Sequence, residues 1–476
     1  MAVAHHHERE VTYDVDSGWV VPDLSDLVPT GGRLASATHR LSAVYYDTEP
    51  ALLRPLGITL RRREGGPDAG WHLKLPAGDG RTEVHSRARA DAVPTALTRR
   101  VAGIVGGQRL LPVATIDTTR HTVQLLAAEG ELVLEVADDH VIGARTGDDG
   151  EPLTWREIEI ELGPAGSERE LTAVAKVCEG AGARTAAQQR KINHVLGEPA
   201  DTGISGRAGL VASYLREQCQ ALLVGDAQLR DDPAPGPVHR TRVAVRRLRA
   251  TLRLFPHVLA LPEADRVHVD QELRWLGGLL SPVRDADVLG VRLRNELDRL
   301  PSGDVVGPVW DEVRRALADD REAGLAAWRE ARDGERYRRL MTTLTTWFVS
   351  SPAADGARVR PRAVLRRADR RVRRSLERAD DATGLHQARK AAKRLRYAAE
   401  LLAPGSGWAG PVAKQAKRRQ SRWGEHQDLA VAASFLRRRS DPTARWPVRS
   451  GFTYGVLTSR LDRDASRIRR RAGLGS

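Results

Sequence analysis

The chain has 476 residues, 41% of them hydrophobic but only 4% aromatic, with 76 Lys+Arg against 62 Asp+Glu and two cysteines. That is enough apolar material for two or three cored domains, too few cysteines for a disulfide framework, and no apolar run approaches the 18 or so residues of a membrane span. Residues 1–200 carry 22 basic and 29 acidic side chains and the remainder 54 and 33, so a net −7 precedes a net +21, and the second part calls for a polyanion.

The first residues lack the apolar core of a secretion signal, so the expected location is the cytoplasm. His5, His6 and His7 read as a flexible polar tail rather than a metal site. From Glu8 the chain alternates, putting Glu8, Glu10 and Thr12 on one face of a strand. Short strands follow at 43–47, at 58–63 with Arg61 and Arg63 on one face, at 71–75 with Lys74 between two leucines, and at 81–85. Gly-rich turns join them into a meander. A short helix is expected over 92–105, then strands over 116–127, containing Arg120, and 132–136. Residues 155–162 alternate most cleanly, with Glu157, Glu159 and Glu161 opposite Ile158, Ile160 and Leu162. A helix over about 167–180 and a segment over 188–196 containing Lys191 end this part. Small residues and Pro199 make 198–206 a linker.

Charged faces on antiparallel strands are ordinarily solvated. Here, however, one set of strands offers only carboxylates and another only cations. Closing the meander into a barrel turns both inward. Such an interior suits a phosphate chain with its divalent metal: cations on phosphate oxygens, carboxylates on Mg²⁺ or Mn²⁺, and water attacking in line. The set Glu8-x-Glu10, Arg61-x-Arg63, Lys74 after Trp71, and Glu157-x-Glu159-x-Glu161 resembles the CYTH, or triphosphate tunnel metalloenzyme, family. The resemblance implies an eight-stranded tunnel over about 5–197 that hydrolyses inorganic triphosphate or another triphosphate. It implies metal at Glu8, Glu10, Glu157, Glu159 and Glu161, phosphates at Arg61, Arg63, Lys74, Arg120 and Lys191, and catalysis centred on Glu8, Glu10 and Lys74. The family signature is Glu-x-Glu-x-Lys, and this chain has Thr12 at the lysine position. A charge-assisted contact is worth about 1.5–3 kcal/mol, so a non-catalytic, ligand-holding tunnel is the alternative. A nucleotide cyclase is another, because the family includes one.

From residue 207 the pattern is helical, and one stretch occurs twice. His239, Arg242, Arg246, Arg249 and Arg253 fall within about 80° of a helix drawn at 100° per residue. His386, Arg389, Lys393 and Arg396 repeat that row 147 residues later. Each row is followed by a second motif, residues 280–285 ending in Asp285 and residues 423–428 containing His426 and ending in Asp428. Few acids interrupt the rows, so i,i+4 pairing does not explain them. These motifs resemble the CHAD domain. The resemblance implies two four-helix bundles related by a pseudo-twofold axis, spanning 207–474 with repeats at about 207–350 and 358–472. It also implies binding of inorganic polyphosphate, with His239, Arg242, Arg246, Arg249, His386, Arg389, Lys393, Arg396 and His426 as ligands and association with polyphosphate granules as a consequence. Ser281 replaces the motif's usual glycine, with a small geometric effect expected. The scarcity of aromatics and the lack of a recognition motif argue against nucleic acid, and no obligate protein partner is readable. The expected fold is α+β in two domains: an antiparallel barrel with flanking helices, then duplicated all-α bundles.

Overall fold

The computed structural model describes residues 4–78, 80–88, 90–188, 190–198, 206–379, 382–439 and 450–471. The chain divides into two compact units, Met1–Asp201 and Thr202–Ser476. Most of the expected linker, 199–205, lies outside the described residues.

The first unit is one antiparallel sheet. Its strands are β1 (Ala4–Glu8), β2 (Glu10–Asp14), β3 (Arg33–Asp47), β4 (Thr59–Glu64), β5 (Gly70–Ala77), β6 (Gly80–Ser86), β7 (Leu111–Leu126), β8 (Leu132–Arg145), β9 (Leu153–Leu162) and the two-residue β10 (Arg184–Thr185). The strand order is β1-β6-β5-β4-β3-β7-β8-β9-β2-β10. β1 and β2 are consecutive in sequence, separated only by Arg9, yet they pair with opposite ends of the seven-strand run from β6 to β9. The sheet therefore closes on itself. If β1 and β2 are counted as one interrupted strand, the barrel has eight main strands. The histidine run 5–7 is part of β1 and pairs with β6, which corrects the expectation of a free tail: the closing register recruits it.

The alternation of β9 explains the barrel's polarity. Ile158 and Ile160 are fully buried in an outer core with Leu134, Val136 and Leu125, beneath α2 (Glu168–Gly180), which contributes Leu171, Val174 and Cys178. Ser167 starts α2 with a reciprocal capping box to Glu170. The interleaved glutamates must then face the lumen. A second helix, α1 (Thr95–Val105), buries Leu97, Val101 and Ile104. A third, α3 (Lys191–Leu196), places Ile192 and Val195 against Ala43, Tyr45, Ala114 and Ile116. The β4–β5 turn needs Gly65, whose φ is +79° and where a Cβ would lie 2.1 Å from the Arg40 carbonyl oxygen.

Asp47, at the end of β3, orders the chain that follows. Its buried carboxylate accepts from the backbone N–H groups of Thr48 (2.7 Å), Leu53 (2.9 Å) and Arg54 (3.0 Å). Asp47→Ala leaves these donors unpaired and is expected to cost about 3 kcal/mol, read as a loss of denaturant midpoint at unchanged slope.

The second unit contains α4 (Gly206–Asp231), α5 (Pro235–Leu254), α6 (Glu263–Leu279), α7 (Ser281–Leu297), α8 (Val309–Arg332), α9 (Glu335–Val349), α10 (Pro361–Glu377), α11 (Ala382–Leu402), α12 (Ala409–Arg439) and α13 (Gly451–Arg471). The repeat is visible in this order. α10, α11, α12 and α13 answer α4, α5, α6 plus α7, and α8. The first copy is broken between α6 and α7, beside Pro282, whereas α12 runs unbroken for 31 residues. Sequence repeat and packing unit do not coincide. One apolar core joins α7 and α8 (Leu293, Val313, Leu317) to α12 and α13 (Leu429, Leu436, Leu457, Leu461).

Candidate functional sites: a charged tunnel and a basic cleft

Directly opposed residues of an antiparallel pair share a face, so the registers set rows across the barrel wall. Gln124, Glu135, Glu161 and Glu10 form one row, Thr122, Ala137, Glu159 and Thr12 the next, and Arg120, Asp139, Glu157 and Asp14 the third. On the other arc, Tyr45, Arg61, His72 and His85 are aligned, beside Thr59, Lys74 and Glu83. The walls enclose a cavity of about 450 Å³ lined by Glu8, Glu10, Arg61, Arg63, Lys74, Arg120, Glu159, Glu161 and Lys191. Every tunnel residue expected from sequence lines it except Glu157. That carboxylate is 1% exposed and sits behind Lys191, accepting from Lys191 Nζ and from Trp155 Nε1 at 2.7 Å.

The lumen neutralises itself. Lys74 Nζ is 2.8 Å from Glu8, and Arg81 is 3.1 Å from Glu10. Arg120 grips Asp139 through two bonds of 2.8 and 2.6 Å and reaches Glu159 at 2.5 Å. Lys191 Nζ lies 2.5 Å from Glu159 and 3.0 Å from Asp139. Arg61 donates to the Tyr45 hydroxyl at 3.2 Å, and Arg63 meets Asp68 of the β4–β5 turn. His72 donates from Nδ1 to Glu83 at 2.8 Å. Thr12 stands opposite Glu159 in the β2–β9 register, and the cations that reach Glu159 come instead from Arg120 and Lys191.

The balance is incomplete. Burial lifts Glu8 to about 8 against the opposing pull of Lys74, with Glu83 adding to the rise. Burial also lifts Glu161 to about 7; Lys74 opposes this, while Glu10 and Glu159 reinforce it. Burial pulls Arg63 down to about 9, helped by Arg61 and Arg120. Burial of Glu8 and Glu161 thus outweighs the pull of Lys74, and burial of Arg63 outweighs its contact with Asp68. One oxygen from each of Asp139, Glu157 and Glu159 lies within 4.8 Å of the others. The donors available to a metal are hard carboxylate oxygens, which fit Mg²⁺ or Mn²⁺.

Sequence reasoning missed Arg81, Glu83, Glu135 and Asp139. Arg81 and Glu83 alternate on β6 in the manner of Arg61 and Arg63, so that signal was present. Asp139 lies in the half of β8 beyond residue 136, the expected end of that strand.

In the second unit the two histidine-led rows converge on one cleft rather than two. Arg246, Arg249 and Arg253 of α5 and His386, Arg389 and Lys393 of α11 line a cavity of about 370 Å³ with Arg274, Lys390 and Arg394 and no carboxylate. His239, Arg242, Arg396 and His426 do not line it. Arg242 instead donates to the Ser281 carbonyl (2.9 Å) and hydroxyl (3.0 Å) and lies 3.4 Å from Asp285. Arg389 is 3.7 Å from Asp428 and packs on Gly424, where a Cβ would approach its Nη2 to 3.2 Å. The second motif of each repeat thus anchors the arginine of the first. Ser281 has more than a geometric effect, because its hydroxyl also donates to Asp285 at 2.8 Å. Arg396 pairs with Glu400 at 3.1 Å. His426 is 6% exposed, on the buried side of α12. The rows were expected to lack acidic partners, but helix packing supplies them: Asp270 meets both Arg249 and Arg253. Lys393 has no such partner among the described residues. Burial, then Arg389 and Arg246, pull it down to about 7, with Asp428 opposing.

A family model for the CYTH domain matches residues 31–186, and one for the CHAD domain matches residues 213–437. Uncharacterized protein Rv2226 of Mycobacterium tuberculosis is 35% identical over 485 residues, covering 95% of this chain and 92% of its own. The solved CHAD domain of the plant Ricinus communis is 26% identical, over 59% of this chain and 95% of its own, with a TM-score of 0.46. The putative adenylyl cyclase HpAC1 from Hippeastrum, described as having a dominant triphosphatase activity, is 16% identical over 41% of this chain and 98% of its own, with a TM-score of 0.25. Among the described residues no helix is long and apolar enough to cross a membrane. The first unit is a CYTH domain of the metal-dependent triphosphate tunnel type, the second a polyphosphate-associated CHAD domain, and the chain belongs to the family in which the one is followed by the other.

Proposed function

We propose that the tunnel hydrolyses inorganic triphosphate, or the triphosphate of a larger substrate, and that the basic cleft holds polyphosphate. The observation that carries the first half is the closed barrel whose interior cations and carboxylates are balanced only against each other. A triphosphate can take Lys74, Arg81, Arg120 and Lys191 from their carboxylates. Arg63, which burial already draws down, and Arg61 stand on the same wall. The released carboxylates, with Glu8 and Glu161, would hold a divalent cation. Bound there, the metal would offset charge on the transferred phosphoryl group and polarise the attacking water. The protein's own part is to fix the chain between the Arg61–Arg63 wall and Lys191, and to exclude bulk water so that these charges act at low dielectric. The test is orthophosphate release from tripolyphosphate with Mg²⁺ or Mn²⁺. Release that stops on chelation is expected, and none under any divalent metal would overturn the reading. In that case a cleft-based polyphosphate-binding protein with a silent tunnel would remain, as Thr12 alone would suggest.

The cleft makes a prediction of its own. Burial and the neighbouring guanidinium groups pull Lys393 down to about 7, and a bound polyanion would raise that value. Binding therefore takes up a proton above pH 7, so affinity falls as pH rises. For long-chain polyphosphate, whose internal groups stay ionised, the decrease from pH 6 to pH 8 is expected to be about tenfold. Lys393→Arg should flatten it. An equal slope in wild type and variant, measured by titration calorimetry, would exclude Lys393 as a ligand.

A further inference from the structure

A second pocket of the helical unit differs in kind from the cleft. It has a volume of about 770 Å³ and lies between the end of α5, the turn after it, and the start of α10. Its floor is apolar: Phe255, Val258, Val359 and Ala368 are buried, and Leu254 and Val364 are half-buried. Its rim is cationic, with Arg253, Arg358, Arg360, Arg367, Arg371 and Arg394 and no carboxylate in the lining. Among the described residues only Arg253 has an acidic partner, Asp270.

Guanidinium groups do not deprotonate to relieve mutual repulsion, so such a rim is stabilised by an anion. Arg394 shows the deficit: burial, then Arg371, Arg253 and Arg249, draw its pKa down, with Asp270 opposing. The basic cleft is lined by eight arginines and lysines and, of apolar side chains, only by Ala250 and Tyr397, without the aliphatic cluster found here. A bare phosphate chain gains nothing from an apolar floor, where its oxygens lose hydrogen bonds to water. An apolar floor beneath an arginine rim fits phosphates carried on a flat aromatic body, since guanidinium planes both stack on rings and bind phosphate through paired donors. We propose that this pocket binds a nucleoside polyphosphate, with the base over the Phe255–Val364 floor and the phosphates on Arg367, Arg371 and Arg394. The pocket shares Arg253 and Arg394 with the cleft, so a nucleotide here competes with polyphosphate for two cations. The assignment is independent of whether the tunnel turns over.

The test is photolabelling of the full chain with 8-azido-ATP in EDTA, where metal-dependent hydrolysis is silent, followed by peptide mapping. Labelling is expected within 253–259 or 358–371. ATP should reduce it at least fivefold, and tripolyphosphate at the same phosphate concentration no more than about twofold. The surface pair Arg367→Glu and Arg371→Glu should abolish it, and Val364→Asp should weaken it without changing tripolyphosphate affinity. The assignment is overturned by no label in those segments, by competition from tripolyphosphate as strong as that from ATP, or by label that persists in the arginine variant. Displacement by phosphatidic acid vesicles but not by ATP would overturn it too, in favour of a lipid phosphate.

Discussion

Lys191→Met is expected to lower triphosphate turnover by about a hundredfold and to cost roughly 3–5 kcal/mol of stability, the usual penalty for leaving buried charge uncompensated. Lys191 is the only lysine among the described residues that meets three carboxylates, those of Asp139, Glu157 and Glu159. Without it, Glu157, which burial already raises, and Glu159 keep Arg120 as their nearest full charge, with His194 at 3.7 Å from Glu157 and Lys74 farther off. The sign of the pH effect follows. Carboxyl groups raised above their unfolded values destabilise the fold at neutral pH, and that penalty shrinks as pH falls toward them. The variant should therefore recover part of its stability between pH 7 and pH 5. Thr12 sits directly opposite Glu159, so Thr12→Lys in the Lys191→Met background should restore at least tenfold of the lost turnover. Failure of that rescue, with the double variant folded, would mean that Lys191 acts on something other than the charge at Glu159.

Glu159→Ala should have a larger kinetic effect, about a thousandfold. Glu159, like Asp139, is held from two sides, by Arg120 and Lys191, and unlike Asp139 it lines the cavity. Burial alone would raise its pKa, but Lys191 and Arg120 hold it well below the ordinary range, so it is ionised whenever substrate arrives. Removing it leaves Arg120 and Lys191 with Asp139 alone as a shared partner and takes away one of three clustered metal donors. A change in kcat with polyphosphate affinity intact is the expected signature, because the cleft lies in the other compact unit.

How much of this was legible in the sequence depended on whether the pattern was local. The alternation of residues 155–162 carried both the outer core and the inner glutamates, because α2 covers one face of β9 and the lumen takes the other. The second half of β8 hid Asp139 because adjacent aspartates break the alternation. Asp138 pairs outward with Arg156 at 2.8 Å, and Asp139 pairs inward with Arg120. The first ten residues of β3 carry no strong strand signal and are held mainly by their register with β7. In the helical unit the cation rows were plain, but their acidic partners were not, since Asp270, Asp285 and Asp428 come from other helices or later turns. His426 belongs to a repeated motif yet points into the bundle. Recurrence of a motif marks a shared packing position as readily as a ligand.

The most direct test of the central claim is orthophosphate release from tripolyphosphate by the wild type and by Glu159→Ala, each with Mn²⁺ and with EDTA. The account predicts release by the wild type with metal only, and release near background from a variant that still binds polyphosphate. Equal release by both proteins, or none from the wild type, would contradict a catalytic tunnel and leave the basic cleft as the functional part of the molecule.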